Sequence, residues 1–527
     1  MKKLLSVWLL IVMGLNALNT AWANDHFNAE GYPIVNEPVT LSVFGCSATG
    51  QADWNEMSFF TAMERITGVK LAIEMVDASV FNEKLKIRID GENYPDIILG
   101  GQLSDADIVN YGSRGILLPL NGLIERYAPN LKTAFETIEG LKEAVTAGDG
   151  NIYSLFYLRN APRASQYCFW INADWLDAIG YSLEDVPRTL EEFEQMLRLF
   201  RDMDYNRNSK DDEIPLEIRD RAKLRALIMN AYGVVFDGDG FYADADGKAE
   251  YQFTSEAYRK YLAFASKLFN EKLLDNDMFS ISSAQLELNS KSNLVGVMDS
   301  PLPTTIYRIK QDEEDIFRYP MLNTLTGGDN TLPVKNRYNP VTKGLFSITS
   351  SCKDPEAAIR WIDHIYSYDG SMMMWQGAEG TGYAYLDRSR TLWKALVPEG
   401  MGAEEFRRTQ TPACGSEMPF MFFDGMLEGL TNIDELYSDG EARKHVNELV
   451  LPFPPVSFTV DESREMESIQ QDVQTYLNEM EAKFISGRLP INDENWQEYV
   501  TTIGALGALR LQEIRQAALD RYNEQTK

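Results

Sequence analysis

The stretch YCFWINADWLDAIGYSLEDVPRTLEEFEQMLRLFRDMDYNRNSKDDEIP, residues 167–215, carries the local signals around which the chain is organised. Its first five residues are apolar or aromatic, which predicts a short buried strand. A short segment that ends at Gly180 follows, and Thr189 with Glu192 then forms the capping-box pattern of a helix start. The next apolar residues recur at the spacing of one helical face: Phe193, Met196, Leu197 and Phe200. The stretch therefore predicts a buried strand and an amphipathic helix that leads into a polar run.

Oxygen-bearing side chains alternate along that polar run, as they do in a loop that surrounds calcium. Counted from Asp204, they match the first, third, fifth and ninth positions of an EF-hand loop. Ser209 replaces the glycine of that pattern and Pro215 its final glutamate, although Glu213 can supply a carboxylate from an earlier position. The alternative is an Asn/Asp-rich turn that ends the helix. The candidate calcium ligands are Asp204, Asn206, Asn208, Lys210 (through its backbone carbonyl), Asp212 and Glu213.

This pattern, DWLD…TLEEF…D-x-N-x-N-x-K-x-DEIP, resembles the family 1 extracellular solute-binding proteins of ABC importers, and among them the alginate- and oligosaccharide-binding periplasmic proteins. Further similar stretches are KDPEAAIRWIDHIYS (353–367), GAEGTGY (377–383), TYLNEMEAKFISG (475–487) and the final ALDRY. The resemblance implies an α/β, two-lobed periplasmic binding protein fold (type II-like), with hinged lobes, parallel-core sheets and extra C-terminal helices. It also implies a structural Ca²⁺ in loop 204–213.

The N-terminal residues 1–23 have the pattern of a cleavable secretory signal. Lys2 and Lys3 precede an apolar core at 4–13, and Ala21-Trp22-Ala23 forms an A-x-A cleavage site. The apolar core is shorter than the roughly 20 residues that span a membrane. Cys46 is the first cysteine, too far from the cleavage site for a lipid anchor. We therefore expect a soluble, periplasmic protein.

The chain of 527 residues is acidic, with a formal net charge of −29 that becomes −31 once the two signal lysines are removed. Such a charge opposes binding to nucleic acid and to anionic membranes. The length predicts two or more domains. The four cysteines are too far apart for a zinc ribbon or a C-x-x-C centre, so we expect buried free thiols, with disulfides as the alternative.

Strand and helix patterns alternate from Val39 onward. Strands are predicted at 39–44, 69–75 and 95–99, separated by helices at 59–66 and 81–89, which is one βαβαβ half of a doubly wound lobe. Ligands bind beyond the carboxyl ends of strands in such sheets, here at 45–54 and 100–104. By resemblance, the N-terminal lobe comprises 24–163 and about 343–376, the C-terminal lobe 164–342 and about 377–460, and a C-terminal helical region 461–527.

Sugar recognition needs aromatic rings for the apolar ring faces and polar side chains for the hydroxyl groups. Tryptophans, tyrosines and polar residues near the predicted crossings, the ligand mouth and the turn at 377–380 meet this need. Core packing is the alternative for each aromatic residue. Arg159 can pair a uronate carboxylate bidentately, and a solvated linker is the alternative for it. The candidate ligand-binding residues are Trp54, Tyr153, Tyr157, Arg159, Trp170, Trp375, Glu379 and Tyr383.

The predicted function is capture of an oligosaccharide by a monomeric periplasmic protein that delivers it to the transmembrane permease subunits of an ABC importer. The chain has three histidines and no H-E-x-x-H or G-x-S-x-G motif, so no catalytic residues are predicted. A secreted glycosidase with two opposed carboxylates is the enzyme alternative. A ligand-presenting sensor subunit is the third possibility, because it would use the same fold.

Overall fold

The computed structural model describes residues 27–159, 166–205, 207–307, 309, 314–328, 331–338, 340–423, 425–426 and 433–525. The predicted signal segment 1–23 and Asn206 lie outside these residues. Within them the strands are β1 (Val39–Ser47), β2 (Val69–Asp77), β3 (Ile97–Leu99), β4 (Leu155–Leu158), β5 (Phe169–Ile171), β6 (Ile214–Glu217), β7 (Phe241–Ala243), β8 (Ala249–Tyr251), β9 (Val295–Asp299), β10 (Lys335–Asn336), β11 (Val341–Ile348), β12 (Tyr383–Tyr385), β13 (Trp393–Ala395) and β14 (Leu449–Val450).

The α-helices of the described residues fall between and after these strands. They are α1 (Ser58–Thr67), α2 (Ala78–Asp90), α3 (Asp105–Ser113), α4 (Asn121–Tyr127), α5 (Pro129–Thr137), α6 (Leu141–Val145), α7 (Ala173–Ala178), α8 (Leu190–Arg201), α9 (Arg221–Ala231), α10 (Glu256–Asn270), α11 (Ser283–Lys291), α12 (Pro355–Ile365), α13 (Tyr368–Gln376), α14 (Ala403–Gln410), α15 (Ile433–Arg443), α16 (Val460–Ile485), α17 (Asp493–Ile503) and α18 (Leu509–Gln525). None in the described part of the chain is both long and apolar enough to cross a membrane.

The first lobe is built on a five-stranded sheet in the order β2-β1-β3-β11-β4. β1 pairs in parallel with β2 and β3, whereas β11 runs antiparallel to β3 and β4. The elements β1-α1-β2-α2-β3 are the predicted βαβαβ unit, which is confirmed. β1 is longer than predicted, because Gly45, Cys46 and Ser47 continue the ladder with β2. The loop at the ligand mouth therefore begins at Ala48.

The second lobe contains a three-stranded sheet in the order β5-β9-β6, with β5 antiparallel and β6 parallel to β9. The predicted capping box of α8 is present: Thr189 Oγ1 accepts from the Glu192 amide at 3.1 Å, and Glu192 Oε2 accepts from the Thr189 amide at 3.1 Å. The predicted apolar face of α8 is buried at Phe193, Met196, Leu197 and Phe200. β5 and α8 thus contribute to the core of the second lobe, as the sequence pattern predicted.

Core packing divides the chain differently from the predicted boundaries. Ala378, Tyr383, Trp393 and Phe420 belong to the core of the first lobe, although 377–460 was expected in the second. The C-terminal helices α16, α17 and α18 contribute Leu477, Trp496, Leu511 and other residues to the second core, so they are part of that lobe rather than a separate region. The apolar pattern of a segment predicts burial but does not say which of two cores buries it.

The chain leaves the first lobe after Leu158 and returns at Val341. It passes again between Phe423, which packs on the first core, and Ile433, which packs on the second. The four cysteines are all buried free thiols, as expected: Cys46, Cys168, Cys352 and Cys414.

Candidate functional site

A cavity of about 560 Å³ lies at the carboxyl ends of β1 and β3, where ligands of parallel α/β sheets bind. Its volume falls within the range of about 300–1,000 Å³ that is usual for small-molecule sites. Nearly all of its described lining comes from the first lobe, while Glu435 comes from α15 of the second. The lining residues are Cys46, Ala78, Phe81, Asn82, Gly100, Gly101, Gln102, Tyr157, Arg159, Trp375, Arg407, Ala413, Gly415, Ser416, Glu417, Met418, Phe420, Phe422 and Glu435.

The two glycines after β3 allow the cavity to form close to the sheet. Gly100 has φ +73°, and a Cβ there would lie 2.6 Å from Met418 Cε. A Cβ on Gly101 would lie 2.6 Å from the ring of Phe81. Both positions therefore favour glycine, because a larger residue would push segment 413–422 or α2 away from the end of β3.

Aromatic side chains form one wall of the cavity. Trp375 is 6% exposed, and its ring centroid lies 4.7 Å from that of Phe422 and 5.3 Å from that of Trp393. The rings of Tyr157 and Phe420 are 4.7 Å apart. Such a wall offers apolar surface to the C–H faces of a sugar ring.

Charged groups line the cavity beside these rings. The Arg159 guanidinium lies 4.6 Å from the centre of the Phe422 ring, and its Nη2 is 3.6 Å from Glu435 Oε2. Within the described residues, the buried Nε and Nη2 of Arg159 and the Nε of Arg407 have no hydrogen-bond partner. Burial raises the pKa of Glu417, and the charge of Arg159 acts in the opposite direction. The cavity therefore holds donors and acceptors that a polar ligand can engage.

Three predicted ligand-binding residues, Tyr157, Arg159 and Trp375, are brought together in this cavity. The other aromatic candidates near the ligand mouth and the first crossing pack elsewhere. Trp54 is completely buried, with its indole N–H 3.0 Å from Gln51 Oε1. Tyr153 donates to Asp149 Oδ2 at 2.7 Å.

Three further candidates also lie outside the cavity lining. Trp170 is completely buried in the second lobe, where its indole N–H donates to the Ser300 carbonyl at 2.9 Å. Glu379 is exposed and pairs with Arg390 at 3.2 Å. Tyr383 is 2% exposed, and its ring packs edge-on against Trp393. The four aromatic candidates outside the cavity lining are therefore packed in cores, which was the alternative to ligand binding.

Sequence reasoning missed most of the residues that complete the wall. Arg407, Glu417, Phe420, Phe422 and Glu435 belong to no quoted motif. The run GSEMPFMFF (415–423) does contain a signal, because three phenylalanines and two methionines fall within six residues without the spacing of a helix. That signal indicates an extended apolar segment, although it does not show which residues the segment contacts.

The second lobe presents its own polar and aromatic groups where β6 and β9 end. Asp299 is buried and accepts from the Arg219 amide at 2.9 Å and from Lys223 Nζ at 2.6 Å. Lys223 Nζ also lies 5.4 Å from the centre of the Tyr167 ring, which is 4.1 Å from the ring of Tyr338. This edge is the counterpart, in the second sheet, of the edge that carries the cavity in the first.

The predicted calcium loop is ordered by its own carboxylates. Asp204 accepts from the amides of Asn208 at 3.1 Å and Ser209 at 2.9 Å, and Glu213 Oε1 accepts from the Tyr205 amide at 3.0 Å. Ser209 has φ +58°, a conformation that favours the glycine of the EF-hand pattern. Asn208 Nδ2 donates to Asp212 Oδ2 at 2.8 Å.

The donor set of this loop fits a hard cation. Burial raises the pKa of Glu213, and the charges of Asp212 and Asp204 add to that effect. A cation would relieve this repulsion. No group of three or more His, Cys, Asp or Glu within the described ranges is arranged to hold a metal ion. The carboxylates of Asp204, Asp212 and Glu213 are among the described residues and form no such group, so the calcium site stays a prediction.

Comparison with known proteins finds relatives along nearly the whole chain. Residues 49–372 match the family model described as bacterial extracellular solute-binding protein. The fructooligosaccharide ABC transporter substrate-binding protein FusA of Streptococcus pneumoniae is 24% identical, over 98% of this chain and 97% of its own. The polygalacturonan/rhamnogalacturonan-binding protein YtcQ of Bacillus subtilis is 22% identical, over 61% of this chain and 62% of its own.

Solved structures share the fold. FusA of S. pneumoniae in complex with kestose has a TM-score of 0.77 at 23% identity and covers 92% of this chain and 100% of that one. The alginate-binding protein AlgQ2 without calcium ion has a TM-score of 0.72 at 20% identity, over 93% of this chain and 100% of its own. The predicted two-lobed α/β fold is thereby confirmed. The chain belongs to the family of bacterial extracellular solute-binding proteins.

Proposed function

We propose that this protein captures an oligosaccharide between its two lobes and delivers it to the permease of an ABC importer. The observation that carries the proposal is the cavity at the sheet edge, where aromatic rings adjoin arginine N–H groups that make no hydrogen bond to the described residues. Apolar ring faces and hydroxyl groups are the two surfaces of a sugar, and this wall complements both. FusA and YtcQ, whose names record oligosaccharide and polysaccharide binding, support the same ligand class.

Ligand capture requires the two lobes to act together. Arg159 stands at the end of β4 in the first lobe and Glu435 on α15 in the second, so a sugar that binds in the cavity beside this pair contacts both lobes. A ligand that binds the closed arrangement more tightly shifts the population toward it. Hinge closure of this kind gives a permease a surface that the open protein does not present.

The family and the N-terminal sequence support a location outside the cytoplasm. An extracellular solute-binding family is consistent with export, and segment 1–23 has the pattern of a cleavable signal without a nearby cysteine. We propose that the mature protein is a soluble monomer of the periplasm.

Calcium is proposed as a structural ion of the second lobe. Asp204, Asn206, Asn208, Asp212 and Glu213 would supply side-chain oxygens, and Lys210 its backbone carbonyl. Bound there, the ion would neutralise the carboxylates and stiffen the loop between α8 and β6. The loop contributes no residue to the described lining of the cavity, so the ion would support the fold rather than contact the sugar.

The proposal is tested by a thermal-shift and calorimetry screen of the mature protein against neutral and acidic oligosaccharides, with mass analysis of each sugar afterwards. A binder gains stability as RT ln(1 + [L]/Kd), about 2.7 kcal/mol at a hundredfold excess over Kd. We expect a large shift with at least one class and intact sugar. Cleaved sugar would establish an enzyme instead, and no shift with any sugar would contradict the proposal.

Two tryptophan variants separate ligand contact from packing in the same screen. Trp375→Phe reduces the ring that lines the cavity, so we expect both sugar affinity and melting temperature to fall. Trp393→Phe is the matched control, because Trp393 is completely buried beside Trp375 but is not part of the cavity lining. The control should lower only the melting temperature, since it loses the bond from its indole N–H to the Met426 carbonyl.

A further inference from the structure

The formal charges of the side chains in the described cavity lining sum to zero. Arg159 and Arg407 contribute two positive groups, and Glu417 and Glu435 two negative ones. The other polar side chains of the lining, including Asn82, Gln102 and Ser416, are neutral. A ligand with a carboxylate on each sugar unit would therefore find no excess of positive charge among the described residues.

Carboxylates that lie near Arg159 offset its positive charge. Its guanidinium lies 3.6 Å from the Glu435 carboxylate, and its charge acts on Glu417. A sugar carboxylate that approached Arg159 would thus come close to carboxylates of the protein. Like charges brought together in a site of this kind lower affinity and reject the wrong partner.

Neutral hydroxyl groups face no such conflict. Each hydroxyl donates one hydrogen bond and accepts others, so it can receive an arginine N–H and donate to a glutamate in the same place. The Nε and Nη2 of Arg159 and the Nε of Arg407 lack hydrogen-bond partners within the described residues. At longer range, the formal net charge of −29 repels polyanions.

We propose that the cavity selects neutral oligosaccharides and rejects those built of uronic acids, with Glu417 and Glu435 as the specificity-determining residues. This inference rests on the proposed function, since it names the class of sugar that the same cavity takes. The relatives' names include a neutral sugar, fructooligosaccharide, and an acidic one, polygalacturonan. The inference places the ligand of this protein in the neutral class.

The test is calorimetry of the mature protein with neutral and acidic oligosaccharides, in which mannotriose with trimannuronate and galactotriose with trigalacturonate are the matched pairs. The neutral probes are kestose, nystose, mannotriose and galactotriose, and the acidic probes are trimannuronate and trigalacturonate. We expect binding by at least one neutral probe and at least about tenfold weaker binding by every uronate. A uronate that binds as tightly as the best neutral probe would overturn the inference and leave the proposed function standing. No binding by any probe would overturn both.

Charge-neutral variants test the two carboxylates directly. Glu417→Gln and Glu435→Gln keep the side-chain size and remove a negative charge, so the preference for neutral over uronate probes should fall about tenfold. The readout is the ratio of the dissociation constants for uronate and neutral probes. A general loss of affinity changes both constants equally and leaves this ratio unchanged. Glu64→Gln is the control, because Glu64 is exposed on α1 away from the cavity, and it should leave the ratio unchanged. An unchanged ratio in both cavity variants would overturn the role of these residues.

Discussion

Two glutamates are completely buried in the second lobe, and their surroundings give them opposite ionisation behaviour. Burial raises the pKa of Glu217 to about 7, and its Oε2 has no hydrogen-bond partner in the described chain. Burial acts on Glu481 in the same sense, but Arg225 binds both of its oxygens at 2.7 Å and the resulting pKa is lowered. The charge of Glu217 therefore opposes folding at neutral pH, whereas the charge of Glu481 favours it.

We expect Glu217→Gln to stabilise the protein at pH 8 and to have little effect below pH 4.5. The unfolded carboxyl loses its proton near 4.5 and the folded one near 7, so stability falls as pH rises through this window. The amide removes that loss, which amounts to roughly 3 kcal/mol at most. Urea denaturation from pH 4 to 8 measures it. A variant that is less stable than wild type at pH 8 would contradict the assignment.

Glu481→Gln is the matched control, because it changes the same atoms at an equally buried position. It leaves the Arg225 charge without its partner carboxylate, which costs about 3–5 kcal/mol at neutral pH. The two isosteric changes should therefore shift the free energy of unfolding at pH 8 in opposite directions. Equal effects would mean that burial alone, rather than pairing, governs both carboxylates.

Single residues were the least predictable part of the site. Composition and position select tryptophan as a candidate, yet Trp375 lines the cavity while Trp54 and Trp170 lie in cores. The difference arises from tertiary packing: the ends of β1 and β3 approach segment 413–422, and no local pattern encodes that approach. Arg159 was predictable because it follows a strand at the lobe crossing.

At the scale of secondary structure, the loop after α8 allows a test of the calcium proposal. We expect EDTA to lower the melting temperature by a few degrees and to leave sugar affinity intact, because the loop does not line the cavity. Asp204→Ala should melt at the lower temperature with or without EDTA, since it loses both a ligand and the carboxylate that caps two amides.

Asp244→Ala controls for the loss of a turn carboxylate. Asp244 accepts from the amides of Asp246 at 3.0 Å and Lys248 at 2.8 Å, in a turn outside the predicted calcium loop. This variant should lose some stability but keep the full response to EDTA. An unchanged wild-type melting temperature after verified metal removal would rule out a structural calcium ion.

Elements with strong local patterns were predictable. The capping box at Thr189 and the buried face of α8 appear as the sequence indicated, as do β1 to β3 with their two helices. The short ribbon β12–β13 and segment 413–422 have no comparable signal, because their pairing and burial depend on residues distant in the chain. Patterns of period 2 or 3.6 therefore located the scaffold but not the wall of the cavity.

At the scale of the whole molecule, the resemblance of several motifs predicted two lobes. The boundaries between the lobes could be placed only with the structure. Residues 378–426 complete the first core, and helices α16–α18 complete the second. The consequence is functional: segment 413–422 lies on the first lobe and α15 on the second, so the cavity at the end of the βαβαβ unit is completed by chain that is distant from that unit in sequence.

The same arrangement predicts how the molecule changes shape. Arg159 directly follows the strand at which the chain leaves the first lobe, and Glu435 lies on α15 just beyond another crossing. Their charged atoms are 3.6 Å apart, so this pair lies beside the crossings. Ser457 Oγ donates to the Thr146 carbonyl at 2.5 Å and the chain crossings tie the lobes together. We therefore expect closure to be a rotation of the lobes about these crossings.

We expect small-angle X-ray scattering to report a smaller radius of gyration when the cavity is occupied. A compact chain of this length has a radius of gyration of about 24 Å, and hinge closure reduces it because mass at the open edge moves inward. The measurement compares the protein alone, the protein saturated with a sugar that calorimetry shows to bind, and the protein with a sugar that does not bind. Only the binding sugar should contract the molecule. Identical scattering in all three samples would mean that capture occurs without closure, and the permease would then have to recognise the occupied cavity itself.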